Sequence, residues 1–184
     1  MIRFLDLLFS AIALVLGAPV LAVLALLVWV DTRSPLFRQL RLGRDRREFT
    51  LVKFRTMRPD TADVPTHMVS AAAVTPLGGF LRRTKLDELP QLWNVLLGDM
   101  SLVGPRPGLS SQLELTRARE AAGVFAARPG ITGLAQLRGV DMSTPELLAR
   151  TDAEMLKMLN VRTYLKYVVL TAIGRGGGDR VGRP

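Results

Sequence analysis

From Leu7 to Val30 the chain runs without a single charged residue. At about 1.5 Å of rise per residue, a helix of that length reaches across the hydrocarbon core of a bilayer. The segment therefore predicts membrane attachment. A cleaved secretory signal fits poorly, because its apolar region is normally about 7–15 residues long and no polar segment here precedes a small-residue cleavage site. Gly17-Ala18-Pro19 lies near the middle, where proline removes a backbone donor and clashes with the preceding turn. Two topologies stay open: a kinked spanning helix, and a re-entrant helix-break-helix that dips into one leaflet and returns. Arg33, Arg38, Arg41, Arg44, Arg46, Arg47, Lys53, Arg55 and Arg58 follow the segment. They put its C-terminal side in the cytoplasm and suit an anionic leaflet.

With 184 residues, 48% of them hydrophobic, the chain can bury one sizeable core and leaves no room for two catalytic domains. The absence of cysteine excludes a disulfide framework and a thiolate metal site. A net charge of +9 favours acidic partners: phosphates, anionic lipid or nucleic acid.

Alternation over Leu36–Leu42 and Glu48–Met57, around the polar turn Gly43-Arg44-Asp45-Arg46-Arg47, predicts a β-hairpin. Arg58–Ser70, with Pro59, Pro65 and the only histidine, His67, reads as a loop. Thr75-Pro76 predicts a helix to about Arg83. In the next helix Leu89, Leu92, Trp93 and Leu96 fall at i, i+3, i+4 and i+7, predicting an inward face, with Gly98 as terminator. A helix is expected over Ser111–Ala127. Another runs from Ser143-Thr144-Pro145-Glu146, which has capping-box spacing, through Asn160. Tyr164–Ile173 suits helix or strand. The Gly- and Arg-rich tail reads as disordered.

The stretch Arg82-Arg83-Thr84-Lys85-Leu86-Asp87-Glu88-Leu89-Pro90 sets two adjacent carboxylates against three cations just before a proline. Such carboxylates can hold a hard divalent ion, or one can attack phosphorus while the other keeps the metal. Taken alone, the pattern also suits an ordinary helix entrance, where acidic residues complement the macrodipole. Gly104-Pro105-Arg106-Pro107-Gly108 and Arg128-Pro129-Gly130 read as rigid loops that each display an arginine able to grip phosphate, or as solvated turns.

In order along the chain, Phe37-Arg38-Gln39, Lys53-Phe54-Arg55-Thr56-Met57, Asp87-Glu88-Leu89-Pro90-Gln91-Leu92-Trp93-Asn94, Gly98-Asp99-Met100-Ser101-Leu102-Val103-Gly104-Pro105-Arg106-Pro107 and Arg128-Pro129-Gly130-Ile131-Thr132-Gly133 resemble the bacterial sugar transferases called monotopic phosphoglycosyl transferases, in their minimal form. The resemblance covers roughly Arg3 to Gly174. Larger members carry extra N-terminal membrane helices and another domain, for which this chain has no length.

The resemblance implies an enzyme that moves a sugar 1-phosphate from a UDP-sugar to polyprenyl (undecaprenyl) phosphate, releasing UMP. It matches Asp87 to the nucleophile of a covalent phosphosugar intermediate and Glu88 to the Mg²⁺ ligand, with Asp87 beside the metal. It matches Lys53 and Arg106, with Pro105 and Arg128, to phosphate binding, and Asp152 to support of the metal or of the basic residues; from its local sequence Asp152 reads equally as an exposed helix carboxylate. Asp6 matches a position that orders structure. Two departures stand out: Ala18-Pro19 replaces the usual Ser-Pro at the membrane break, and Val140 replaces an arginine after Gly139.

The expected protein is α+β and mainly helical, with a small β-hairpin and amphipathic surface helices. Residues 1–31 form a re-entrant membrane helix broken at Ala18-Pro19, 32–174 a catalytic domain, and 175–184 a tail. It rests monotopically on the cytoplasmic face of a bacterial inner membrane, among phospholipids, in a glycoconjugate or exopolysaccharide pathway; a homodimer is compatible with the sequence. The rival from another class is a noncatalytic basic membrane adaptor. Nucleic-acid binding is disfavoured by the long apolar segment and the lack of a groove-reading motif.

Overall fold

A computed structural model describes residues 1–61 and 71–175. The expected loop around Pro65 and His67 and most of the expected tail lie outside these residues. The order is α1 (Ile2–Thr32), β1 (Leu36–Leu42), β2 (Glu48–Phe54), α2 (Pro76–Thr84), α3 (Gln91–Leu97), β3 (Ser101–Val103), α4 (Leu113–Ala121), β4 (Gly130–Thr132), α5 (Leu134–Arg138), α6 (Pro145–Met158) and α7 (Val161–Ala172). The fold is α+β and mainly helical, with two two-stranded sheets.

The expected break at Ala18-Pro19 does not interrupt α1: Pro19 lies inside one 31-residue helix. A proline deletes one intrahelical bond, and the apolar turns on either side continue the helix past it. Val15, Leu16, Val20, Val23, Leu26 and Leu27 are exposed along its middle. Both ends are fastened to the rest of the molecule. Near the start, buried Asp6 accepts from Ser101 Oγ (2.9 Å), the Leu102 amide (2.9 Å) and Tyr164 Oη (2.8 Å). Near the finish, Leu24 and Val28 pack with Phe54 and Leu81.

β1 and β2 form the predicted antiparallel hairpin, with Leu36 opposite Phe54 and Leu42 opposite Glu48. The second strand stops short of Met57, which instead bridges Val74. The parallel pair β3–β4 was not foreseen, because three-residue strands are too short to show a period. The main core gathers Phe49, Leu51, Leu92, Val95, Met100, Leu102, Val103, Leu134, Met155, Tyr164 and Tyr167.

Three local expectations need correction. In α3 the inward face is Gln91, Leu92, Asn94 and Val95, while Trp93 is 55% exposed. The helix begins two residues after Leu89, so the apolar register read from Leu89 is rotated relative to the observed face. The predicted helix over Ser111–Ala127 is α4 plus a separate turn at Val124–Ala126, divided where Gly123 takes φ 68. The capping box is not at Ser143–Glu146, since Thr144 makes no side-chain cap; Asn160 and Thr163 form one at the start of α7 instead. Once capped, Tyr164–Ile173 is helical up to Ala172.

Candidate active site

The carboxylate pair owes its place to how α2 ends. Lys85 takes φ 59 and ψ 15, which stops α2 and turns the chain into a single 3₁₀ turn at Leu86–Glu88. A side-chain-bearing residue holds such a conformation at a cost of order 1 kcal/mol or more, where its surroundings fix it. Asp87 and Glu88 are consequently buried, at 4% and 8% exposure, in the turn just ahead of α3, so the pair stands at a helix entrance but away from solvent.

α3 holds this turn from the other side. Buried Asn94 donates to the Thr50 carbonyl (2.8 Å) and accepts from the Val52 amide (3.1 Å), tying α3 to β2. At the C-terminal end of α3, Arg3 donates to the carbonyls of Val95 (2.8 Å) and Leu96 (3.2 Å), and Arg128 Nε to that of Gly98 (2.8 Å). Carbonyls of a last turn lack intrahelical donors and carry the negative end of the helix dipole, so guanidinium groups answer both needs.

Alternation along the hairpin sorts its cations. Arg41 and Lys53 are 8% and 6% exposed, whereas Arg33, Arg38, Arg44, Arg46, Arg47 and Arg58 stay exposed. The basic cluster is thus divided between surface and interior, and those two inward cations line a small cleft with Leu51, Gln91, Arg106 and Pro107. Lys53 Nζ lies 5.6 Å from the centre of the Phe37 ring, a cation–π contact. Arg106 Nη2 donates to Glu88 Oε1 at 2.7 Å, which joins the cleft to the carboxylate pair. Lys85 Nζ donates to the Arg175 carbonyl (2.8 Å); burial lowers its pKa from the ordinary value, with Glu88 opposing that shift and Arg106 reinforcing it.

The two Pro-containing loops meet through their glycines. A Cβ on Gly104 would stand 2.5 Å from the Arg128 carbonyl oxygen, and one on Gly130 would stand 2.0 Å from the Gly104 nitrogen. Only glycine permits this approach, and the amide of Gly130 uses it to donate to the Pro105 carbonyl at 2.9 Å.

The structure therefore joins Glu88 to Arg106 and sets Arg106 and Lys53 in one cleft, with Asp87 buried next to Glu88 in the chain and buried Pro105 beside Arg106. Arg128 points its Nε to the end of α3 rather than joining the cleft lining. Asp152 is 1% exposed, which removes the exposed-carboxylate alternative; it accepts from Arg119 Nε (3.0 Å) and Nη2 (2.7 Å), and Arg119 in turn reaches the Arg106 carbonyl. Burial pushes the Asp152 carboxyl above its ordinary pKa, against the pull of Arg119. Ala18 and Pro19 lie on α1, among the exposed apolar turns at its middle. Val140 packs against the cluster of Leu115, Ala135 and Leu148. Arg138, two residues before Val140, pairs at the surface with Glu154 through two bonds of 2.6 and 2.8 Å.

Arg41, Gln91, Lys85 and Arg119 were not singled out as site residues. Arg41 and Lys53 pair with neighbouring partners on one face of the hairpin, so the two-residue period held that information. Arg119 carries no local signal. Among the described residues no three His, Asp or Glu side chains gather to hold a metal. Magnesium commonly uses one or two carboxylates with substrate phosphates, and the adjacent Asp87 and Glu88 fit that donor set.

The model of a family described as bacterial sugar transferase matches residues 1–175. A UDP-glucose:undecaprenyl-phosphate glucose-1-phosphate transferase of Caulobacter vibrioides is 41% identical over 179 residues, covering 92% of this chain and 67% of that protein. The Escherichia coli protein of the same name is 38% identical over 176 residues, covering 90% of this chain and 38% of its own length. A UDP-galactose-lipid carrier transferase of Erwinia amylovora is 39% identical over 154 residues, covering 74% of this chain and 32% of its own. The chain thus spans about a third of the length of the last two.

Proposed function

Since the chain belongs to the bacterial sugar transferase family, we propose that it transfers a sugar 1-phosphate from a UDP-sugar to polyprenyl phosphate, through a phosphosugar ester of Asp87. The observation that carries this reading is the buried Asp87–Glu88 pair joined by the Arg106 ion pair to a cleft containing Lys53 and Arg41. The names of the relatives support the substrate classes: a UDP-sugar donor and an undecaprenyl-phosphate acceptor.

In the first step an Asp87 oxygen attacks the phosphorus that bears the sugar, the bridging P–O bond breaks, and UMP leaves with the bonding pair. In the second, a phosphate oxygen of the acceptor attacks the same phosphorus, frees the Asp87 carboxylate and leaves a polyprenyl diphosphosugar. Dividing one displacement into two is the logic of covalent catalysis and predicts ping-pong kinetics. Lys53 and Arg106 hold the phosphates against Asp87; without them anion would repel anion. A Mg²⁺ ion at Glu88 and Asp87 would supply further neutralisation of the pyrophosphate.

The acceptor's tail lies in lipid and its phosphate at headgroup level, so the reaction belongs at the membrane surface. The exposed apolar middle of α1, with both ends of that helix fastened to one globular body, supports attachment to a single leaflet, and the arginines that follow α1 favour the cytoplasmic one. The decisive experiment incubates the purified protein with a UDP-sugar panel, UDP-glucose and UDP-galactose first, with polyprenyl phosphate, and follows UMP. Asp87→Asn should remove UMP release and the hexose-phosphate adduct in intact-mass spectra while membrane attachment stays. Normal turnover by this variant would refute the nucleophile.

A further inference from the structure

The loop 104–108 that presents Arg106 has an unusual anchorage. Two of its residues are proline and lack an N–H, so it is held mainly by its carbonyls. Four successive carbonyls accept from four different places: Pro105 from the Gly130 amide (2.9 Å), Arg106 from Arg119 Nη1 (2.8 Å), Pro107 from Arg41 Nη1 (3.1 Å) and Gly108 from the Leu42 amide (2.9 Å). Three of these clamps are the strand pairs and the cleft already described. The fourth is Arg119, on α4, an element that carries none of the motifs.

Arg119 and Asp152 form an ion pair with side chains only 4% and 1% exposed. Such a pair is a poor means of stabilising a fold: desolvating both charges offsets their attraction, and apolar side chains of similar volume often serve as well or better. What an apolar pair cannot do is donate to the carbonyl of Arg106. Asp152 occupies Nε and Nη2 of Arg119, which orients the guanidinium so that Nη1 meets that carbonyl. At the other end of the same residue, the Arg106 side chain reaches Glu88.

We infer that Arg119 is a positioning residue for the transfer reaction: oriented by Asp152, it fixes the Arg106 peptide so that the Arg106 guanidinium stands preset against Glu88 and the phosphates of the donor. This rests on the function proposed above, but the anchoring itself is a property of the fold and can be measured without turnover. Misplacing one phosphate-gripping group weakens the transition state without abolishing chemistry, because Asp87 is untouched.

The test uses the full-length protein and two variants, Arg119→Lys, which keeps the charge but lacks the fork, and the double change Arg119→Met with Asp152→Leu. The apolar double variant should melt at or above the wild-type temperature. In both variants hydrogen exchange should accelerate in the peptides covering residues 104–112 and remain unchanged in α3 and the hairpin. kcat/KM for the UDP-sugar should fall about 10- to 100-fold, the worth of one charge-assisted hydrogen bond, with the loss carried mostly by donor KM. Arg106→Ala, costly in the wild type, should then cost little more in either background, since the two residues act as one unit.

Unchanged exchange over 104–112, or an Arg106→Ala penalty of equal size in all backgrounds, would overturn the inference. Should the double variant fail to fold, the Arg119→Lys cycle gives the same decision. A wild-type protein that releases no UMP from any UDP-sugar would refute the parent reading instead, and the exchange data would still decide whether Arg119 anchors the loop.

Discussion

Arg106 shows how one side chain acquires a function from its surroundings. Alone, an arginine between two prolines is a turn residue; with its guanidinium 2.7 Å from Glu88 and its side chain 20% exposed, it bridges the carboxylate pair and the cleft. Arg106→Ala should lower kcat/KM for the donor by about 10- to 100-fold, the range for losing a charged hydrogen bond, and Arg106→Lys should restore only part because an ammonium lacks the planar fork. Steady-state kinetics over a range of donor concentrations checks both. Tyr164 gives a pH signature. Burial first, then its bond to Asp6, raises the pKa of the Tyr164 hydroxyl. A phenol with a raised folded-state pKa contributes stability that is complete below its unfolded value, about 10, and is lost as pH rises through the folded one. Tyr164→Phe should therefore be less stable than wild type by about 1.5–3 kcal/mol near neutrality, and the gap should narrow above about pH 10. Chemical denaturation at several pH values measures it; a gap that widens in alkali would contradict the assignment.

At the scale of elements, the Gly104–Gly130 approach is the joint on which the site turns, because it seats the Arg106 loop on the β3–β4 pair. Gly130→Ala places a methyl group 2.0 Å from the Gly104 nitrogen, and backbone cannot swing aside as a side chain does. Overpacking against a fixed neighbour should cost about 1–3 kcal/mol or more, visible as a lower melting temperature and, in the surviving folded protein, as weaker donor binding. The ends of α3 make a second joint. Arg3→Ala strips guanidinium bonds from the carbonyls of Val95 and Leu96, and it should loosen α1 and α3 together, read as faster hydrogen exchange in both.

Across the whole molecule, α1 is fastened near its start through Asp6 and near its finish through Val28, and the single-leaflet attachment proposed for it predicts that both its ends lie on one side of the bilayer. The native chain has no cysteine, so single cysteines at Met1 and Arg33 can be labelled cleanly in sealed vesicles. Both should react from the same side, and labelling from opposite sides would defeat the single-leaflet reading. The apolar run of α1, the hairpin, the carboxylate pair and the Pro-Arg-Pro loop were legible along the chain because each is a local pattern: a charge-free stretch, a two-residue period, a fixed short spacing. The sequence by itself therefore determined which chemistry-bearing groups the protein has and the order in which they come. Three-residue strands, the rotated face of α3 and the commitment of Arg128 to Gly98 depend on partners distant in the chain, and only the tertiary structure decided them. Arg119 is the clearest case: its partners Arg106 and Asp152 stand 13 and 33 residues away, and burial made the three one unit. Local patterns are written in neighbouring residues, whereas burial and long-range hydrogen bonds exist only after the chain has packed.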